Sequence, residues 1–184
     1  MTTLNLGCGN DLTGDVRVDF SKESRGANKI LNLELPLPFE DNSFSKVIAK
    51  GIIEHLPNPV QFISEIYRVM EPNASLLLVT DNAAFPLIYW KGQRHAGGYR
   101  GRVKNDKHYM VFHPSHILEI FSRVGFVGIK IELVPYREEG AIVGKATNVI
   151  QRIGEFLSKL GISENITQYL IPIIQVSSKK PMKL

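Results

Sequence analysis

A single cysteine, Cys8, excludes an internal disulfide and a zinc site built on several thiolates. No stretch approaches the eighteen or so apolar residues that a membrane-spanning helix needs. Neither a basic leader nor a signal-type apolar segment precedes the first strand-like run. The expected location is therefore cytoplasmic, with no membrane partner. Along the chain no His, Asp, Glu and Cys group has metal-ligand spacing, so the expected metal ligands are none. Internal repeats and low-complexity tracts are also missing. What remains is ordinary for a globular protein, 43% apolar and 22% charged. The length of 184 residues fits one domain over 1–184.

Net charge is small everywhere but in one place. Residues 91–107 hold Lys91, Arg94, Arg100, Arg102, Lys104 and Lys107 against Asp106, a net +5 in a chain whose total is +4. Gly92, Gly97, Gly98 and Gly101 break any helical pattern there. Residues 82–112 thus read as a basic, glycine-rich insertion. It is either a solvated loop or a lid whose cations meet an anionic acceptor or a nucleic-acid backbone. Trp90, Tyr99 and Tyr109 interleave with the charges and offer rings for stacking.

The most informative residues are Leu4-Asn5-Leu6-Gly7-Cys8-Gly9-Asn10, an apolar run ending in Gly-x-Gly. A second run, Val16-Arg17-Val18, ends in Asp19, ten residues past Gly9. Glycines just beyond a buried strand let a ligand approach the backbone. A carboxylate ending the next strand can accept both hydrogen bonds of a ribose diol. The third glycine of a dinucleotide fingerprint is missing, because Leu12 and Thr13 stand in its place. That argues against NAD or FAD and leaves a nucleoside cofactor.

Downstream come Leu37-Pro38-Phe39-Glu40-Asp41-Asn42-Ser43-Phe44, the apolar strand Lys46-Val47-Ile48-Ala49, Ile53-Glu54-His55-Leu56, and Met70-Glu71-Pro72-Asn73-Ala74-Ser75 leading into Leu76-Leu77-Leu78-Val79. In this order the segments resemble the small class I S-adenosylmethionine-dependent methyltransferases, from about Thr2 to Val79 and again, weakly, over His108 to Phe126. The resemblance implies a Rossmann-like α/β fold: a seven-stranded, mostly parallel sheet with helices on both faces. It implies S-adenosylmethionine as cofactor and S-adenosylhomocysteine as product. It assigns Asn5, Gly7, Cys8, Gly9, Asp19, Asn32, Leu33, Lys50 and Gly51 to the cofactor site. Asp19 would hold the ribose, and Asn32 with Leu33 the adenine. Cys8 reads as a packing residue rather than a nucleophile.

Pattern supplies the elements. Strands are expected at Thr3–Leu6, Val16–Asp19, Lys29–Asn32, Ser45–Ala49, Ser75–Thr80, Val127–Val134 and Tyr169–Ser177, and the family resemblance implies that the last runs antiparallel between two others. Fewer than a dozen residues separate the first two strands, too few for the usual crossover helix, so the first crossover is shortened. Asn58-Pro59 opens a helix with Ile63, Ile66, Tyr67 and Met70 on one face. Pro114 opens another, with Ile117, Leu118, Phe121 and Val124 inward, and Gly125 stops it. A third carries Val149, Ile150, Ile153, Phe156, Leu157 and Leu160 as its apolar face and ends at Gly161. The tail, 179–184, is expected to fray.

Acceptor chemistry falls to His55, Asp81 and His108, with His113 a further candidate near the open end of the sheet. Histidine exchanges protons near neutral pH, so His55 could serve as base or simply pack beneath the cofactor. After the fourth strand the chain reads Ala49-Lys50-Gly51-Ile52, which disfavours the Asn/Asp-Pro-Pro-aromatic chemistry of nucleic-acid amino methylation. The only cysteine is too early for carbon-5 pyrimidine methylation. The expected acceptor is a small molecule, with an anionic one favoured. The alternatives are an RNA or protein acceptor gripped by 91–107, and a non-catalytic module that keeps the fold.

Overall fold

A computed structural model describes residues 2–85, 108–134, 142–162 and 169–182, with backbone alone for 142–148. Seven strands form one sheet: β1 (Thr3–Leu6), β2 (Val16–Asp19), β3 (Lys29–Ile30), β4 (Phe44–Lys50), β5 (Met70–Asp81), β6 (Val127–Val134) and β7 (Ile173–Lys179). Their spatial order is β3-β2-β1-β4-β5-β7-β6. The first five are parallel, and β7 runs antiparallel between β5 and β6. Central β4 buries Val47, Ile48 and Ala49 in succession, as a strand covered on both faces should. All parallel strands therefore deliver their carboxyl ends to one rim, where open α/β sheets bind ligands.

The shortened first crossover is real. β1 and β2 pair in parallel register, Leu4 with Val16 and Leu6 with Val18, although only residues 7–15 connect them. Side chains do the work a helix would have done. Asp15 accepts from the Thr3 amide at 2.8 Å and returns its own amide to the Thr3 carbonyl at 3.0 Å. Arg17 donates from Nε to the Gly26 carbonyl and from Nη1 to the Gly14 carbonyl. Asn5, 1% exposed, closes the inside by donating to the Thr13 carbonyl at 3.0 Å.

Helix α1 (Pro59–Val69) starts where expected: the Asn58 side chain accepts from the Gln61 amide at 3.1 Å, and Pro59 fills a position whose amide needs no partner. Phe62, Ile63 and Ile66 are buried, each contributing about 1.5–3 kcal/mol. Arg68 on this helix grips Glu65 at 2.8 Å, Asp41 at 2.8 Å and the carbonyls of Leu37 and Phe39. The Leu37 amide in turn donates to Glu65. The segment 37–44 and the helix are thus one network. Helix α2 (Pro114–Val124) packs beside α1 and ends at Gly125, whose φ of 107° is left-handed. Between β4 and α1 a single 3₁₀ turn covers Ile53–His55.

Several expectations need correction. Lys29–Asn32 is shorter as a strand, because Asn32 instead turns the chain with its Oδ1 accepting from the Glu34 amide. Strand β5 begins at Met70, which caps α1 rather than extending its apolar face. The run 71–74 bulges out of register, with Asn73 at φ 66°. Leu118 is 46% exposed, so α2 buries a narrower face of Ile117 and Phe121. In helix α3 (Ile142–Lys159) the expected stripe is turned outward: Val149, Ile153, Phe156 and Leu160 are exposed. Its inner side is Gln151 and Gly154, with Ile150 and Leu157 half-buried. A Cβ at Gly154 would sit 2.8 Å from Leu170, so the helix is drawn in where it has no side chain.

The tail is tied down at its start. Lys179 is the last rung of β7, opposite Ser75. Lys180, 6% exposed, donates to the carbonyls of Tyr67 and Met70 and to Asn42, and its ammonium lies 4.8 Å from the centre of the Tyr67 ring. A buried cation at the carbonyl end of α1 offsets the helix dipole there. Pro172 precedes β7, an entry position, while β7 itself is interior to the sheet. No helix among the described residues is long and apolar enough to cross a membrane.

Candidate active site

The loop after β1 is held by backbone hydrogen bonds. The amides of Gly7 and Cys8 both donate to the Val18 carbonyl, at 2.9 and 3.1 Å. Gly7 has a φ of 67°, and a Cβ there would lie 2.8 Å from that of Ile52, so no other residue fits. Gly9 differs: a Cβ on it would meet nothing within 4 Å, so this side of the loop faces open space. Its amide donates to Asp19 Oδ2 at 2.7 Å, and the Ser21 amide donates to Oδ1 at 3.0 Å. A carboxylate has about four lone-pair sites, so Asp19 retains acceptor capacity while being fixed at the mouth of the loop. Phe20, 65% exposed, and Leu12, 71% exposed, stand on the same rim.

A glycine that no motif singled out completes this side. The Gly26 amide and the Ser24 hydroxyl both donate to the Gly9 carbonyl. A Cβ on Gly26 would lie 2.5 Å from the Asp11 carbonyl oxygen and 2.8 Å from that of Gly9. The β2–β3 loop thus lies directly against the glycine loop, backbone on backbone. Only the isolated glycine in Ser24-Arg25-Gly26 hinted at so close an approach. Burial pushes the Cys8 thiol up from its ordinary range, which keeps it neutral and unreactive.

The other cofactor candidates are spread along the rim. Lys50, at the end of β4, reaches Asp11 at 3.3 Å and so ties that strand to the glycine loop. Hydrogen bonds from Thr13 lead the causes that lower Asp11 to about 2, with Lys50 adding to them. Gly51 donates its amide to Val79, and a Cβ on it would lie 3.7 Å from Glu54 Oε1. Asn32 is exposed past β3, whereas Leu33 is buried in the main core. Asn5 lies beneath the loop, its side-chain amide spent on Thr13.

At the ends of β4 and β5 the side chains converge. Glu54, 3% exposed, accepts from Thr80 Oγ1 at 2.9 Å. The rings of His55 and His108 meet edge to face with centres 4.5 Å apart. His108 Nδ1 lies 3.7 Å from Asp81 Oδ2. The amides of Tyr109 and Met110 donate to the Glu54 carbonyl, at 2.8 and 3.4 Å, which fastens the later segment to the 3₁₀ turn. All three catalytic candidates, His55, Asp81 and His108, are therefore in one place. His113 is not with them, since it caps α2 and accepts from the Ser115 amide. Among the described residues, Glu54, His55 and His108 also form a group able to hold a metal ion. Spacing along the chain could not reveal it.

The basic segment 91–107 lies outside the described residues, but its approaches are defined. Asn82 bridges Phe112, and the Ala83 amide donates to the Phe112 carbonyl at 2.8 Å. Asn82 is anchored in turn by donating to Ile171 and Pro172. The described chain stops at Phe85, shortly after Asp81, and resumes at His108.

Comparison with known proteins finds similarity to methyltransferases. Residues 4–78 match the family described as "Methyltransferase domain". Phosphoethanolamine N-methyltransferase 2 of Caenorhabditis elegans is 26% identical over 143 residues, 78% of this chain and 31% of that protein. Demethylmenaquinone methyltransferase of Lactiplantibacillus plantarum is 29% identical over 115 residues, 46% of this chain and 47% of that protein. Among solved structures, phosphoethanolamine N-methyltransferase 2 of Haemonchus contortus, in complex with S-adenosyl-L-methionine, superposes with a TM-score of 0.65 at 18% identity. The overlap is 98% of this chain and 48% of that one. The chain spans about a third to a half of the length of these three relatives.

Proposed function

We propose that this chain, whose residues 4–78 match a methyltransferase domain and whose fold is that of S-adenosylmethionine-dependent neighbours, is a class I S-adenosylmethionine-dependent methyltransferase that methylates a small acceptor bearing an anionic group. One observation carries the reading. The open side of Gly9, the fixed Asp19 carboxylate and the polar cluster at Glu54, His55, Asp81 and His108 all lie on the carboxyl rim of the parallel strands.

The rim fits the cofactor. Gly9 leaves the backbone bare, Asp19 can accept from a ribose diol, and Phe20 offers an apolar surface for a base. Bound there, S-adenosylmethionine supplies an electrophilic methyl on a sulfonium. The chain's own part is to align the acceptor, which accounts for much of the rate in a direct displacement. His108, with the Asp81 carboxylate 3.7 Å away, and His55 can take a proton from the acceptor. An anionic acceptor is supported by the two phosphoethanolamine methyltransferases among the relatives and by the +5 stretch 91–107, which in sequence lies between Asp81 and His108.

The test is methyl release from S-adenosylmethionine with phosphoethanolamine beside an uncharged amine of similar size. Turnover of the phosphorylated amine alone, weakened by raised salt, supports the reading. Turnover of the neutral amine alone contradicts it.

A further inference from the structure

Glu54, His55 and His108 each bring one ligand atom within 4.8 Å of the others. The grouping is assembled from two distant parts of the chain. Glu54 and His55 sit on the 3₁₀ turn after β4, and His108 arrives with the segment that the Glu54 carbonyl fastens through Tyr109. Two imidazoles and one carboxylate are the donor set of zinc and its transition-metal neighbours, not of magnesium or calcium. In a tetrahedral site with bonds of about 2.0–2.1 Å the ligand atoms stand about 3.3 Å apart, a contraction that side-chain rotation supplies.

The surroundings point the same way. Metal-bound histidines commonly give their second nitrogen to a carboxylate, and ligating carboxylates are themselves hydrogen-bonded. Here Thr80 Oγ1 donates to Glu54 Oε2 at 2.9 Å, leaving Oε1 on the side of Gly51, and Asp81 Oδ2 stands 3.7 Å from Nδ1 of His108, just beyond a hydrogen bond and within reach of a small ring rotation. We propose that Glu54, His55 and His108 bind a divalent transition metal of the zinc class, with its fourth position open toward the acceptor. There the ion would fix an anionic oxygen of the acceptor, and with the metal bound His55 and His108 would act as its ligands in place of accepting the acceptor's proton.

This inference rests on the acceptor-side reading of the cluster and not on cofactor binding, so the two can fail separately. Untagged, chelator-treated full-length protein is titrated with Co²⁺ and followed by its visible absorption, with the melting temperature recorded in Zn²⁺. The expected result is one Co²⁺ per chain with a tetrahedral spectrum. His55→Ala and His108→Ala should each abolish it. Asp81→Asn should weaken it about 10–100-fold, and His116→Ala, away from the cluster, should leave it intact. The cobalt-blind variants should still bind S-adenosylhomocysteine, which shows that they fold. Absence of a cobalt spectrum and of a zinc-induced melting shift overturns the proposal. So does cobalt binding that survives both cluster variants or follows His116. Protein that binds S-adenosylhomocysteine but no cobalt loses the metal site alone. Protein that binds cobalt but no S-adenosylhomocysteine keeps the metal site and loses the methyltransferase reading.

Discussion

The two sides of the rim are built differently. Around Gly7, Gly9 and Gly26 the structure is backbone against backbone, held by amide–carbonyl bonds and by the absence of side chains. Around Glu54, His55, Asp81 and His108 it is made of converging side chains from three stretches of sequence. A backbone-built site leaves a local signature, because its glycines and its terminal acid must fall within a few residues of two strands. A side-chain cluster leaves none until the fold brings its members together. The difference also predicts that the two sides respond largely independently to substitution, although among the described residues the Lys50–Asp11 contact and the packing of Ile52 on Gly7 run between them.

The largest expected effect is on the side-chain face. His108→Ala should lower turnover by about 10²–10⁴-fold, the usual contribution of a positioned proton-transfer group. Affinity for S-adenosylhomocysteine should stay within about twofold. A matching loss of cofactor affinity would show that the two sides are one unit. The converse test is Gly26→Ala, which forces a methyl into the Asp11 and Gly9 carbonyls. It should cost about 1–3 kcal/mol of stability in urea melts, the range for overpacking, and weaken the cofactor. Wild-type stability and affinity would mean that the glycine contact is slack.

Lys180 is a control outside both sides. Replacing it with Met removes the bonds to the end of α1 and should cost about 1.5–3 kcal/mol in the same melts. Cofactor affinity per folded molecule should not change. A change in affinity would mean that the sheet's far end and the rim are coupled.

The smallest effect concerns Asp11. Its carboxyl is held at about 2, below the ordinary 3.8, first by its hydrogen bonds from Thr13. A lowered folded value means that its contribution is complete above 3.8 and disappears as pH falls through about 2. The stability difference between the wild type and Asp11→Ala should therefore be small at neutral pH and shrink across that window. A difference independent of pH would remove the carboxylate from the account.

The sequence was readable wherever local chemistry decides. Strands β1, β2 and β6 fall where alternation puts them, and Asn58-Pro59 and Gly125 bound their helices through capping alone. The α3 face was not readable. Its strongest periodicity belongs to Val149, Ile153, Phe156 and Leu160, yet the helix docks through Gly154, where the backbone can approach Leu170. Periodicity reports where apolar groups lie, not which side a neighbour can reach. Lys180 was missed for a similar reason, since a lysine near the chain end looks solvated until the carbonyls of α1 are placed beside it. Likewise His55 and His108 stand far apart in sequence and meet only because the Glu54 carbonyl draws residues 109 and 110 to the 3₁₀ turn.

The central claim, that the glycine loop and Asp19 form the cofactor site, is tested most directly by calorimetric titration of S-adenosylhomocysteine into the wild type and Asp19→Ala. The account predicts one site per chain in the wild type. The variant should lose about 1.5–3 kcal/mol of affinity, the scale of charge-assisted hydrogen bonds, while remaining folded by circular dichroism. No binding by the wild type, or equal affinity in a folded variant, would contradict it.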